Sequence, residues 1–240
     1  VHRQNMRMHL GNEKIIFSVD RLDYSKGLMH RLLGFETFLE NNPEWWNKVK
    51  LVMVVVPSRD SIQSYAEMKK ELEEAIGRIN GKYGRMDWQP ISYQYRSLSF
   101  DELIALYTVS DIALITPIRD GMNLVAKEFV ASRRDEKGVL ILSEMAGCAT
   151  ELGEALLINP TDKDEIASSI LQALLMSEKE QRSRIRSMQQ RIQAYDVFHW
   201  AEDFISRLAK AKAVQKQMDM LMMNEEMEER ILVRYSNSNE

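Results

Sequence analysis

The sequence predicts an α/β fold: a Rossmann-like, doubly wound parallel sheet of about six strands, followed by carboxyl-terminal helices. Two observations indicate it. Short apolar runs rich in β-branched residues alternate with segments of helical period along most of the 240 residues, which is typical of right-handed strand–helix–strand units. The runs are also apolar almost continuously rather than only at every second position, as expected of parallel strands that helices cover on both faces.

Each predicted strand is an apolar run of this kind. In chain order, the runs are "KIIFSV", "KLVMVVV", "ISYQY", "DIALIT", "GVLILS" and "ALLIN". Helices are predicted between them: one begins near Leu28, and another is "NLVAKEFVASRR", which starts at Asn123. The clearest helix has a single apolar stripe with residues three or four positions apart, made of Ile62, Tyr65, Met68, Leu72, Ile76, Ile79 and Tyr83.

The last part of the chain is predicted to be helical only. A stripe of helical period continues there with Trp200, Phe204, Leu208 and Ala211, and the Met-rich "MDMLMMNEEMEER" follows. We therefore predict three segments: a Rossmann-like domain at 1–176, helices that pack on it at 177–214, and a helical extension and linker at 215–240.

Composition excludes several classes of function. The net charge of −4 gives no sign of a nucleic-acid or membrane partner, and the apolar run "LVMVVV" is far too short to cross a bilayer. The single cysteine, Cys148, fits a reducing, cytoplasmic compartment. The four histidines lack metal-ligand spacing, so no metal is expected. Neither a G-x-G-x-x-G fingerprint nor a P-loop is present.

The loop "DRLDYSKGL" carries two cations, Arg21 and Lys26, between the first strand and a helix. Ligands of open parallel sheets bind at the carboxyl ends of the strands, and a helix N-terminus attracts anions. One interpretation is a clamp for a phosphate or diphosphate. The alternative is that both are surface residues, one of them paired with Asp20 or Asp23.

The loop "TPIRDGMNLVAKE" follows the fourth strand. Asp120 and Gly121 form a turn into a helix, and glycine lets a ligand approach the backbone closely. The N–H groups from Gly121 to Leu124 are expected to point toward the sheet edge, and Glu128 offers two acceptor oxygens for vicinal hydroxyls. Alternatively, Asp120 caps the helix and Glu128 pairs with a surface lysine. An acidic loop opposite a basic one favours a sugar–phosphate ligand.

Together these segments resemble a known family. The stretches "VDRLDYSKGL", "AIGRINGKYG", "TPIRDGMNLVAKEFVA" and "GVLILSEMAGCATEL" are similar to the carboxyl-terminal half of trehalose-6-phosphate synthases, which are retaining glycosyltransferases of the two-domain GT-B fold. The similarity extends from about residue 14 to residue 210. It implies that this half binds the donor UDP-glucose, that the acceptor is glucose 6-phosphate, and that no metal or other cofactor takes part.

The resemblance also implies residue roles. Arg21 and Lys26 would hold the donor diphosphate and stabilise the charge of the leaving group, and Asp120 would contact the glucose hydroxyls. Arg59, which follows the second strand, would bind the phosphate of glucose 6-phosphate. The resemblance also assigns donor binding to further positions: Leu98 would lie near the uracil, and Glu128 near the ribose. The other donor-binding positions that match the family are Gly121, Met122, Asn123, Leu124 and Val125.

Several interpretations stay open. The family's amino-terminal half, which supplies most acceptor contacts, has no match here, so we expect little or no turnover by this chain alone. The sequence begins with Val1, and "ERILVRYSNSNE" resembles the segment before the phosphatase domain of bifunctional members. We expect an excised central domain of a synthase–phosphatase fusion; the alternative is a simple terminal extension. A glucosylglycerol-phosphate synthase half and a non-catalytic regulatory homologue that binds sugar phosphates are the alternatives.

Overall fold

The sheet is the framework of the protein, for which a computed structural model describes residues 13–58 and 63–236. Six strands, all parallel to their neighbours, form it. They are β1 Lys14–Arg21, β2 Val49–Val56, β3 Ile91–Tyr95, β4 Ile112–Ile115, β5 Val139–Ser143 and β6 Leu156–Ile158. All six runs predicted as strands are therefore strands, and the predicted fold class is confirmed.

Helices connect the strands and continue after the last one. They are α1 Leu28–Asn41, α2 Gln63–Tyr83, α3 Phe100–Val109, α4 Leu124–Ser132, α5 Lys163–Leu175, α6 Glu178–Ala194 and α7 Val197–Ser236. The predicted helix starts near Leu28 and Asn123 agree with α1 and α4. Helix α3 begins with a capping box, in which Ser99 and Glu102 satisfy each other's backbone N–H groups.

The strand order is β3-β2-β1-β4-β5-β6, so it reverses between β1 and β4. These two neighbours are joined at only two positions, Ile16–Ile112 and Phe17–Ala113. In contrast, β1 pairs with β2 along its whole length. The carboxyl ends of β1 and β4 therefore lie side by side without a ladder between them, at the point where open α/β sheets bind ligands.

Two apolar cores lie on the two faces of the sheet. One contains side chains of α1, α2 and α5, and the other contains side chains of α3, α4 and α6. Strand β1 contributes to both, with Ile16 in the first core and Ile15 and Phe17 in the second. Because successive side chains of a strand point to opposite faces, burial of both faces explains why the central strand sequences are apolar at most positions.

The chain consists of two compact units, Val1–Ile192 and Gln193–Glu240. The first contains the sheet and both cores. The second consists mainly of α7, whose start is capped by Asp196, because its Oδ1 accepts hydrogen bonds from the backbone N–H groups of Phe198 and His199. Helix α7 continues to Ser236, through most of the segment predicted as extension and linker.

None of the helices in the described part of the chain could span a membrane. The domain boundary at residue 176 stays a prediction.

Helix α1 approaches α5 so closely that one glycine is required. A Cβ atom at Gly34 would lie 2.4 Å from Cγ2 of Ile166, so we expect Gly34→Ala to lower the free energy of unfolding by about 1–3 kcal/mol. Gly77 in α2 is the matched control, because nothing lies within 4 Å of a Cβ atom there. Gly77→Ala should stabilise the protein by up to about 1 kcal/mol through helix propensity. Urea unfolding of both variants measures this, and equal effects would contradict the packing described.

Candidate functional site

Two loops meet where the strand order reverses: residues 21–27 after β1 and residues 116–123 after β4. The carbonyl oxygen of Ser25 accepts hydrogen bonds from the N–H groups of Ile118, at 2.7 Å, and Arg119, at 3.2 Å. Gly27 has a φ of 63°, and a Cβ atom there would lie 2.3 Å from the Thr116 carbonyl oxygen. Only glycine fits this conformation and this contact, so the loops are joined through their backbones.

Lys26 and Asp120 form an ion pair between these loops. Their Nζ and Oδ2 atoms are 2.6 Å apart, and the two side chains are only 14% and 16% exposed. Burial by itself would raise the pKa of Asp120, but the hydrogen bond and charge of Lys26, together with the Met122 N–H and the Asn123 side chain, outweigh it and lower that pKa. The pairing of Lys26 with Asp20 or Asp23, left open by the sequence, is thus not observed.

The N-terminus of α4 presents unused backbone donors beside this pair. Asn123 is the N-cap residue; its φ of 69° is left-handed, and its Oδ1 accepts from the Ala126 N–H at 3.0 Å. Asn123, and not Asp120, therefore caps the helix. The N–H groups of Gly121, Asn123, Leu124 and Val125 have no hydrogen-bond acceptor among the described residues. Free N–H groups at a helix N-terminus are suited to binding an anion.

Glu128 is held by a buried tyrosine rather than by a surface lysine. Tyr107 is fully buried with its ring against that of Phe17, which also contacts Phe129, and its hydroxyl donates to Oε2 of Glu128 at 2.9 Å. Burial, and then the Glu128 charge, raise the pKa of Tyr107, so the phenol keeps its proton. The Oε1 atom of Glu128 has no partner in the described part of the chain and can accept from a ligand hydroxyl.

Three further predicted residues, Arg21, Leu98 and Gly121, lie at the carboxyl edge of the sheet and make fewer contacts. Arg21 is the last residue of β1, and its exposed side chain makes no hydrogen bond or ion pair within residues 13–58 and 63–236. Leu98 lies in the loop before α3, and its half-buried side chain packs against the second core. Gly121 is exposed, and nothing lies within 4 Å of a Cβ atom built on it. Arg59 lies outside the described residues.

Sequence reasoning missed Arg31, the fully buried arginine of α1. Its NH1 forms an ion pair with Oδ2 of Asp20 at 2.8 Å and a short hydrogen bond to Ser18. Its Nε donates to Oγ1 of Thr116 at 3.0 Å, and its NH2 donates to the carbonyl oxygen of Lys26 at 3.2 Å. The available signal was its spacing, because Arg31 lies on the same helical face as the buried Leu28 and Phe35.

The single cysteine, Cys148, is a packed residue of the second core. Cys148 is fully buried, and this burial raises the pKa of its thiol to about 12, which suits a packed thiol rather than a nucleophile. Within the described ranges there is no group of three or more His, Cys, Asp or Glu residues that could hold a metal ion. The chemistry available at this edge among the described residues consists of one paired lysine, the exposed Arg21, free amides and two positioned carboxylates.

Comparison with known proteins agrees with this geometry. The model of glycosyltransferase family 20 matches residues 1–210. A bifunctional trehalose-6-phosphate synthase/phosphatase from Thermoproteus tenax is 52% identical over 214 residues, which are 89% of this chain and 29% of that protein.

Solved structures show the same fold at similar identity. One is an alpha,alpha-trehalose-phosphate synthase (UDP-forming) from Burkholderia xenovorans in complex with glucose-6-phosphate, with a TM-score of 0.82, 40% identity, and coverage of 86% of this chain and 46% of that chain. Another, "Trehalose-6-phosphate from E. coli bound with UDP-2-fluoro glucose", has a TM-score of 0.81 and 44% identity, and covers 85% of this chain and 45% of that chain. The chain thus spans less than half the length of these relatives. The resemblance seen in the sequence is confirmed.

The ion pair of Lys26 with Asp120 predicts how the stability of the protein depends on acid pH. Because the folded-state pKa of Asp120 lies below the ordinary 3.8, the pair contributes stability that is complete above that value and is lost as the pH falls through the folded pKa. Lys26→Met should raise the pKa of Asp120 and reduce this acid-dependent loss. Carboxyl ¹³C NMR measures the first effect, and unfolding at a series of pH values measures the second.

The control for this titration is Lys127→Met. It breaks an ion pair with Glu151 of similar length and burial, 2.7 Å with side chains 18% and 22% exposed, that does not include Asp120. We expect the Asp120 titration to stay unchanged in this variant. An unchanged Asp120 titration in Lys26→Met would show that the two loops are not joined by this pair in solution.

Proposed function

The chain belongs to glycosyltransferase family 20, and on that basis we propose that it is the donor-binding half of an alpha,alpha-trehalose-phosphate synthase. The reaction would transfer glucose from UDP-glucose to glucose 6-phosphate with retention. The observation that carries this proposal is the ion pair of Lys26 with Asp120, the residue directly before the free N–H groups that begin at Gly121, at the point where the strand order reverses. Such an arrangement suits a diphosphate.

The proposed diphosphate site uses the charges that the two loops bring together. An ammonium group has three N–H donors, so Lys26 can keep its bond to Asp120 and still donate to phosphate oxygens. The amides of Gly121, Asn123, Leu124 and Val125 add partial positive charge from the helix N-terminus. Cleavage of the sugar–phosphate bond increases the negative charge on the leaving UDP. These donors would therefore bind the transition state more strongly than the substrate.

The proposed sugar contacts lie on both sides of the diphosphate site. Asp120 would accept from hydroxyls of the transferred glucose, in an orientation fixed by Lys26 and Asn123. Oε1 of Glu128 would accept from the ribose, because the Tyr107 hydroxyl already occupies Oε2. Arg21, exposed at the end of β1, would supply a second cation for the phosphates, and the backbone at Leu98 would contact the uracil.

The acceptor part of the proposal depends on the family rather than on this site. Arg59 would bind the phosphate of glucose 6-phosphate, the compound named for the Burkholderia xenovorans relative. Most acceptor contacts would come from the other half of the synthase, so we propose little or no turnover by this chain alone. A fused phosphatase domain, as named for the Thermoproteus tenax relative, and a cytoplasmic location remain part of the proposal for the complete protein.

Calorimetric titration with UDP tests the donor site. We expect Lys26→Ala and Glu128→Ala each to weaken UDP binding by roughly tenfold to a hundredfold, the effect of losing a hydrogen bond to a charged group. Lys127→Ala is the matched control, because Lys127 neighbours Glu128 but pairs with Glu151; its affinity should equal that of the parent. If Lys26→Ala and Glu128→Ala bind UDP as tightly as the parent, the assignment of the donor site is wrong.

Gly121 provides a test that separates binding from folding. A methyl group there meets no protein atom within 4 Å, so Gly121→Ala should change the free energy of unfolding by no more than about 0.5 kcal/mol. It should nevertheless weaken UDP-glucose binding by on the order of tenfold, because the methyl group would separate the diphosphate from the amides. In Gly147→Ala, by contrast, the Cβ atom would lie 2.0 Å from the Gly121 carbonyl oxygen, and stability should fall. Unchanged UDP-glucose affinity in Gly121→Ala would argue against an anion at these amides.

A further inference from the structure

Arg31 occupies the gap that opens between the central strands. The ladder between β1 and β4 ends at Phe17 and Ala113, and the next polar side chains along the two strands are Ser18 and Thr116, both fully buried. The Arg31 guanidinium binds Ser18 with NH1 and Thr116 with Nε. A side chain from α1 thus joins the carboxyl ends of two strands that share no backbone pairing there.

The same guanidinium also reaches the loop that carries Lys26. Its NH2 donates to the Lys26 carbonyl oxygen at 3.2 Å, and Asp20, buried at the end of β1, balances its charge at 2.8 Å. The planar fork of arginine offers five N–H donors in fixed directions. One rigid group consequently holds three hydrogen-bond acceptors, on β1, on the β1 loop and directly after β4, together with the carboxylate of its ion-pair partner.

Through these hydrogen bonds, Arg31 contacts both loops that carry donors of the proposed anion site: the loop with Lys26 and the loop with the amides before α4. Thr116 begins the loop that contains Asp120 and the free amides, and Lys26 lies on the opposite loop. Lys26 Nζ, at 2.6 Å, and the Met122 N–H, at 3.4 Å, both donate to the Asp120 carboxylate. The ammonium group and one loop amide therefore already converge on one carboxylate, and the separation of the two loops decides whether donors of both loops can reach one anion.

We propose that Arg31 is a positioning residue for the donor diphosphate: its buried fork sets the separation of the β1 and β4 loops so that Lys26 and the amides of α4 bind the same anion. The proposal rests on the proposed function for the identity of the anion. Arg31 is fully buried beneath both loops, so it acts through Lys26 and Thr116.

Two conservative substitutions test it. Arg31→Lys keeps the charge opposite Asp20 but cannot donate in three fixed directions, and Thr116→Val removes only the acceptor of Nε. We expect UDP binding, measured by calorimetry, to weaken by on the order of tenfold in Arg31→Lys and by a smaller factor in Thr116→Val. Gly34→Ala is the control for lost stability, because it perturbs the same helix against Ile166. It should lower Tm without changing UDP affinity.

A second readout needs no ligand. If Arg31 sets the loop separation, Arg31→Lys and Thr116→Val should also raise the pKa of Asp120 in ¹³C NMR, because Lys26 moves away from it. If the parent protein fails to bind UDP, only the proposed function is refuted, and the Asp120 titration then tests whether Arg31 sets the loop separation. If Arg31→Lys does not fold, the same measurements on Thr116→Val test the role of Arg31. Parent-like UDP affinity together with an unchanged Asp120 titration in the folded variants would overturn the proposal.

Discussion

The site depends on one buried guanidinium placed where the sheet stops pairing. A doubly wound sheet reverses its strand order once, and at that reversal β1 and β4 separate after two paired positions. The opening needs polar partners, because buried strand ends without hydrogen bonds are costly. Arg31 supplies donors to both strand ends and to the Lys26 carbonyl, and Asp20 neutralises it. A buried charge with all these partners is tolerated, whereas loss of one partner would leave the others unsatisfied.

Above this group, the site is arranged to hold negative charge. Lys26 and Asp120 neutralise each other across the two loops, so neither charge is buried without compensation. The N-terminus of α4 keeps its unused amides, and the left-handed conformation of its cap, Asn123, is a conformation that asparagine adopts more readily than most residues. Backbone strain of this kind is stored where a site requires a particular direction of the chain. The donors are thus oriented before any ligand arrives, and little reorganisation remains on binding.

Much of the framework could be predicted from the sequence, and the side-chain partnerships could not. The strands could be recognised because a strand buried on both faces is almost continuously apolar, which is a local property of the sequence. Lys26 and Asp120 could be assigned to the same sheet edge from topology. Their mutual contact could not be assigned, because they are 94 positions apart and nearer acidic residues were equally available. Arg31 and Tyr107 were missed for a related reason: helical spacing can place a polar side chain on a buried face, but it does not identify the distant group that this side chain binds.

By itself, the sequence determined the α/β class, the strand runs, the two loops at the carboxyl ends of β1 and β4, and the family, because these follow from local periodicity and contiguous motifs. Only the tertiary structure decided that Lys26 pairs with Asp120, that Asn123 caps α4, that Tyr107 occupies one oxygen of Glu128, and that Arg31 joins the two central strands. Each of these contacts joins specific atoms, and most of them join segments far apart in the chain. Hydrogen-bond distance and direction exist only once packing has brought those atoms together.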